Sequence, residues 1–280
     1  GGTLSHDDKP EWDTIPTVVK EDIFFARATV PDLCALETVY KNPLRSEYTA
    51  SEEDINDAIK RIVPNEFKDT WQQLDNPLYA FKKITKGPKI KKPKHIFFIV
   101  GESIPQWSLD ETHKLLNICP GLWNFKSQSH TVQIPNFLPA GNVSRPSIVS
   151  LMSGIYDAGL EINERESFWK GVFPTSFAHQ MKRLGYQTIY WYGGNASYGN
   201  FNHFGKAQGF DRVESASIFC GPDAPKTWVG VYDHVFLENI EQQIKSINEP
   251  TFHFIYTTSN HGPYKMEDSL LDYDPEKVMP

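Results

Sequence analysis

Three short apolar runs rich in β-formers, His95–Val100, Gln187–Tyr192 and residues 251–257, stand apart with segments of helical period between them. Continuous apolar runs of this length fit strands covered on both faces, and strands alternating with helices make a mostly parallel sheet. The chain is therefore expected to fold as an α/β three-layer sandwich, a central mostly parallel sheet flanked by helices. Residues 95–100 are expected to be buried on both faces. Residues 251–257, the last strand in the chain, are expected to leave an unfinished sheet edge, which suggests that the fold continues past Pro280.

The first third of the chain has a different character. Residues 1–30 are polar and punctuated by proline, and read as an extended arm. A short helix is expected from Pro31-Asp32. Another begins at Ser51-Glu52-Glu53-Asp54, with Ile55, Ile59 and Ile62 as its apolar stripe and Pro64 beyond its end. Trp71, Leu74 and Leu78 suggest a third. Seven lysines then fall within residues 82–94, broken by Gly87, Pro88 and Pro93, which reads as a solvated linker, the alternative being a basic strip near an anionic membrane surface. The division is thus 1–93, an arm, a helical preface and a lysine-rich linker, and 94–280, a catalytic domain. Within the latter, helices are expected from the Ser108-Leu109-Asp110-Glu111 capping box to Leu116, over 175–184 with Gly185 closing it, and over 231–247.

A net charge of -7 argues against a nucleic-acid partner. No apolar run reaches the roughly 20 residues of a membrane span. Cys34, Cys119 and Cys220 are too scattered for a zinc site or a disulfide framework.

Polar residues gather where the apolar runs end. Glu102 follows the first strand, at the place where open α/β sheets bind ligands. Asn142 to Gly154 leads into a short helix in which Ser144 stands at the N-cap and Pro146 in the first turn. A hydroxyl there has two uses: it caps its own helix, or it faces a phosphate at the positive end of the helix. Gly193-Gly194 after the second strand would let backbone approach a ligand. His261 follows the third strand.

In this order and with these flanks, six elements resemble the alkaline phosphatase/sulfatase superfamily. They are Ile99-Val100-Gly101-Glu102-Ser103, the Ser144 helix, the loop 192–200, Gln208-Gly209-Phe210-Asp211, the segment 228–233, and Ser259-Asn260-His261-Gly262-Pro263. The resemblance covers roughly residues 94–264 and is nearest the lipoteichoic-acid-synthase-like phosphoglycerol transferases and phosphoethanolamine transferases. It implies that Glu102 and Ser144 hold a divalent metal ion (manganese, magnesium or zinc) and that Ser144 is the nucleophile. It also implies that His261, Asn195 and Asn260 bind substrate.

The implied reaction moves a phosphoglycerol-type group from a phospholipid donor to a glycan or lipid acceptor. The implied place is the extracytoplasmic face of a bacterial membrane, with the domain anchored by upstream helices. Alternatives are phosphoethanolamine transfer, a sulfatase or phosphodiesterase, and an inactive envelope binding domain. Sulfatases carry an arginine four residues after the nucleophile, where this chain has Ile148. Polyglycerolphosphate synthases carry a tryptophan and an arginine near the places of Gly199 and Phe201. The superfamily completes its metal site with an Asp-His pair downstream of the His-Gly-Pro motif, and none lies between His261 and Pro280.

Overall fold

The computed structural model describes residues 50–75, 77–83, 86–88, 90–134 and 137–262. The short helix expected from Pro31 lies outside them. Two compact units divide at Pro93/Lys94.

In the first unit, helix α1 (Glu52–Ile62) starts with a capping box in which the Ser51 hydroxyl and the Asp54 carboxylate each accept from the other's backbone N–H. Of the expected isoleucine stripe only Ile59 is buried, whereas Ile55 and Ile62 are exposed. Ile59 instead joins Val63, Trp71 and Ala80 in a small apolar cluster. Trp71 and Leu78 lie in two separate 3-10 turns, Trp71–Gln73 and Pro77–Phe81, rather than in one α-helix.

Among the described residues, the second unit is built on four parallel strands. They are β1 (His95–Val100), β2 (Gln187–Tyr192), β3 (Arg212–Ser215) and β4 (Thr251–Tyr256), in the order β1-β4-β2-β3. The described helices of this unit are α2 (Pro120–Lys126), α3 (Ser144–Ser153), α4 (Phe177–Arg183), α5 (Phe201–Ala207), α6 (Ala216–Phe219) and α7 (Asp233–Ile244).

Strand alternation separates two cores. Tyr190 and Tyr192 of β2 and Phe252, Phe254 and Tyr256 of β4 face one side. There they pack with Ile148, Val149 and Met152 of α3, Ala178 of α4, and Phe201 and Phe204 of α5. Ile189 and Trp191 of β2 and Ile255 of β4 face the other side, against Ala216 of α6 and Phe236 and Ile240 of α7. Sheet and flanking helices make the expected α/β sandwich.

Two sheet expectations are corrected. β4 lies inside the sheet, between β1 and β2, so it leaves no open edge. Among the described residues β1 is itself an edge strand: Ile96, Phe98 and Val100 pack into the first core, but Phe97 and Ile99 are 49% and 58% exposed. An apolar run reports that a segment is a strand more faithfully than it reports which faces are covered.

The capping box expected at Ser108 does not form. Ser108 is buried and its hydroxyl donates to the Pro105 carbonyl at 2.8 Å, and the segment makes two 3-10 turns, Gln106–Leu109 and Glu111–Leu116. The other helices are shorter than expected: α4 spans 177–183, with Gly185 at φ +79° just beyond it, and α7 spans 233–244.

Candidate active site

Because the strands are parallel and Val100, Tyr256 and Tyr192 are in register, the segments that follow β1, β4 and β2 leave the same edge of the sheet. Glu102 follows β1 there, and its N–H donates to Thr257 Oγ1 at 3.3 Å, just past β4. Ser103 takes a left-handed φ of +49°, unusual for a residue with a side chain, which turns the chain sharply after Glu102.

α3 reaches this edge with its N-terminus. Its first residue is Ser144, and the N-cap position belongs to Val143, whose extended backbone makes no side-chain cap. The expected N-cap assignment is thus shifted by one residue. The Ser144 hydroxyl does not cap its helix; it donates to Glu102 Oε2 at 2.8 Å, across 42 residues of sequence.

Two further hydroxyls surround the same carboxylate. Tyr256, the last residue of β4, donates to Oε2, and Ser103 donates to Oε1 at 3.0 Å. Burial, and next the hydrogen bond to Glu102, push the Tyr256 phenol up, so at neutral pH it is a fixed donor. Tyr192 is likewise pushed up, by burial first, then by Tyr198 and Glu102, with Arg145 acting in the opposite direction.

The remaining expected residues occupy this edge in different ways. Asn260 donates through Nδ2 to the Ser103 carbonyl at 2.7 Å, which ties the loop after β4 to the turn after β1. His261 lies edge-on to Trp228, with ring centroids 5.1 Å apart, and its Nδ1 is 2.8 Å from the Gly262 carbonyl. A carbonyl can only accept, so the proton is on Nδ1 and a neutral ring keeps Nε2 as its acceptor. Asn195 instead folds back on its own loop, where Oδ1 accepts from Ser197 N–H at 2.9 Å.

The glycine pair serves protein backbone in this structure. A Cβ on Gly194 would lie 2.8 Å from the Val229 carbonyl oxygen, so the close approach is to the segment leading into α7.

Sequence reasoning missed three contributors. Tyr256 reaches Glu102 only because β4 pairs with β1, which no local pattern announces. Asp233, at the start of α7, accepts from the N–H groups of Thr258 and Ser259 at 2.9 and 3.0 Å and so pins the loop that carries Asn260 and His261. Arg145, next to Ser144, meets Glu164 and Tyr198. The one available signal for Arg145 was its place directly after Ser144 in the stretch from Asn142 to Gly154.

Glu102 and Ser144 offer two hard oxygen donors side by side, which suits part of the shell of a divalent cation. Among the described residues, no group of three His, Cys, Asp or Glu side chains comes together. The described residues therefore fit such an ion as two of its ligands rather than as its whole shell.

The chain is similar to a crystal structure of a protein in the alkaline phosphatase superfamily from Vibrio parahaemolyticus, with 25% identity, 47% of this chain and 33% of that chain covered, and a TM-score of 0.38. It is also similar to the lipoteichoic acid synthase LtaP from Listeria monocytogenes, with 18% identity, 49% and 34% covered, and a TM-score of 0.41. The match spans about a third of the length of each of these two structures. No curated protein matches the chain significantly. The sulfatase family model matches residues 94–278, two thirds of the sequence, and the chain belongs to the sulfatase family, within the alkaline phosphatase superfamily.

Proposed function

We propose that the protein is a metal-dependent transferase that moves a phosphoglycerol-type group from a phospholipid to an envelope glycan or lipid acceptor. Ser144 is its nucleophile, and it works at the extracytoplasmic face of a bacterial cytoplasmic membrane.

The observation that supports this most is the Ser144 Oγ to Glu102 Oε2 contact at 2.8 Å. A serine in the first turn of a helix ordinarily spends its hydroxyl on its own backbone. Here the hydroxyl is aimed across the sheet edge at a carboxylate, in the arrangement of a shared pair of cation ligands. A divalent ion held by these two residues would lower the hydroxyl pKa and offset negative charge on the phosphate.

The chain's own residues then have distinct tasks. In the first displacement the Ser144 oxygen attacks phosphorus and loses its proton. The bond from phosphorus to the diacylglycerol oxygen breaks, and that oxygen leaves with a proton. In the second, an acceptor hydroxyl attacks the phospho-serine, and the Ser144 oxygen leaves and regains its proton. This gives ping-pong kinetics. His261, with Nε2 as acceptor, and Asn260 contact the transferred group. Tyr256 and Ser103 keep the Glu102 carboxylate oriented through their hydroxyls.

The test uses the complete protein with phosphatidylglycerol vesicles, manganese and a glucan acceptor, and follows diacylglycerol release and labelled glycerophosphate on the glucan. Acceptor labelling is expected, with a loss of about a thousandfold or more in Ser144→Ala and Glu102→Gln. Release of the head group to water alone, with acceptor present, would favour a hydrolase instead.

A further inference from the structure

Arg145 is the cation closest in sequence to Ser144, and its partners hold it loosely. Its Nη1 is 3.5 Å from Glu164 Oε1, and its Nη2 donates to the Tyr198 hydroxyl at 3.1 Å. The guanidinium also lies over the Tyr198 ring, 5.1 Å from its centroid. A committed arginine–carboxylate pair is bidentate, with separations of about 2.7–2.9 Å. This pair is monodentate, long and open to water, the side chains of Arg145 and Glu164 being 31% and 24% exposed.

Glu164 is better anchored than Arg145. Asn200 donates through Nδ2 to the other oxygen of Glu164, and Asn163 donates to the Gly199 carbonyl at 2.6 Å. The Glu164 carboxylate is therefore held from its far side, while the guanidinium keeps donors to offer.

Its position relative to the Glu102–Ser144 pair follows from two observations. Arg145 is the second residue of α3, directly after Ser144. The Tyr198 hydroxyl that accepts from Arg145 belongs to the loop after β2, which leaves the same edge of the sheet as the turn after β1 that carries Glu102. The Glu102 carboxylate and the Arg145 guanidinium are thus both held by segments at the C-terminal edge of the sheet.

We infer that Arg145 is an oxyanion-binding residue of this site, which turns from its loose contact with Glu164 to grip the non-bridging oxygens of a phosphate ester presented to Ser144. This rests on the functional reading above and adds the group that holds the substrate's charge. Guanidinium geometry suits two oxygens of a tetrahedral phosphate, whereas a lysine ammonium is a point charge. Glu164 and Tyr198 then serve as a rest position, keeping the side chain extended at the site before substrate arrives.

The test measures binding of inorganic phosphate to the complete protein by titration calorimetry, with circular dichroism as a check on folding. Arg145→Gln is expected to weaken binding about 10- to 100-fold, and Arg145→Lys to lose several-fold less. Glu164→Gln breaks the same ion pair but frees the guanidinium, so it should bind phosphate at least as well as the unaltered protein. If Arg145 only braced the loop, Arg145→Gln and Glu164→Gln would weaken binding alike, and that result overturns the inference. Phosphate binding that is absent in the unaltered protein, or unchanged in a folded Arg145→Gln variant, overturns it too. If phosphate binding depends on Arg145 while Ser144 never becomes phosphorylated, the inference stands and the transferase reading falls.

Discussion

Asp233 and Ser259 hold each other twice. The Asp233 N–H donates to Ser259 Oγ at 2.6 Å, and the Ser259 N–H donates back to Asp233 Oδ1 at 3.0 Å. The same carboxylate oxygen accepts the Thr258 N–H at 2.9 Å. An acidic residue in the first turn of α7 thus fixes the loop that carries Asn260 and His261. Asp233→Ala is expected to destabilise the protein by about 1–3 kcal/mol in denaturant titrations and to speed amide exchange at Thr258 and Ser259. Asp233→Asn keeps an acceptor at the same place and should lose less. Equal effects from the two variants would show that the carboxylate's charge, not its acceptor geometry, holds the loop.

A buried histidine on the opposite face makes stability depend on acid. His253 Nδ1 accepts the Trp191 indole N–H at 3.1 Å, which leaves the proton on Nε2, 3.1 Å from His95 Nδ1. Burial first, then the charges of His95 and Arg212, push His253 down to about 4. Burial and Lys94 lower His95 as well. An unfolded histidine titrates near 6.5, so between about 6.5 and 4 the unfolded chain binds more protons than the folded one. Stability is therefore present above this window and lost as pH falls through it, by up to roughly 3 kcal/mol for His253. His253→Phe removes the titration, and its stability should fall less steeply between pH 6.5 and 4. Parallel slopes for the two proteins would contradict this account.

Gly230 sits where two backbones meet. A Cβ there would lie 2.3 Å from the Gly193 carbonyl oxygen and 2.5 Å from Thr258 Oγ1. The same carbonyl accepts the Val231 N–H at 2.9 Å, so the backbones cannot part without breaking that bond. Gly230→Ala is expected to cost more than about 3 kcal/mol, or to prevent folding. Gly121, whose Cβ would meet nothing within 4 Å, is the matched control and should tolerate alanine.

What could be read from the sequence depended on whether the responsible signal was local. β2 matches its six-residue apolar run residue for residue. β3 escaped notice because Arg212-Val213-Glu214-Ser215 has no apolar run; its pairing with β2 holds it in the sheet. The places of Glu102, Asn260 and His261 just after apolar runs, and of Ser144 at the start of a short helix, were legible because those signals are local. Their distances were not, because strand order decides which loops meet. Tyr256 is the clearest case: it looks like the last residue of a buried strand, and only the β1–β4 pairing carries its hydroxyl to Glu102. Asn195 shows the converse, a motif residue whose side-chain oxygen is already used by its own turn.

The most direct measurement is intact-mass analysis, with metal analysis alongside, of the complete protein and its Ser144→Ala variant after incubation with manganese and phosphatidylglycerol. The account expects a phosphoglycerol-sized adduct on the unaltered protein, dependent on bound metal and missing from Ser144→Ala. Metal bound without an adduct would contradict the proposed donor group. A protein that binds no metal and forms no adduct would contradict the pairing of Glu102 and Ser144 as a catalytic site.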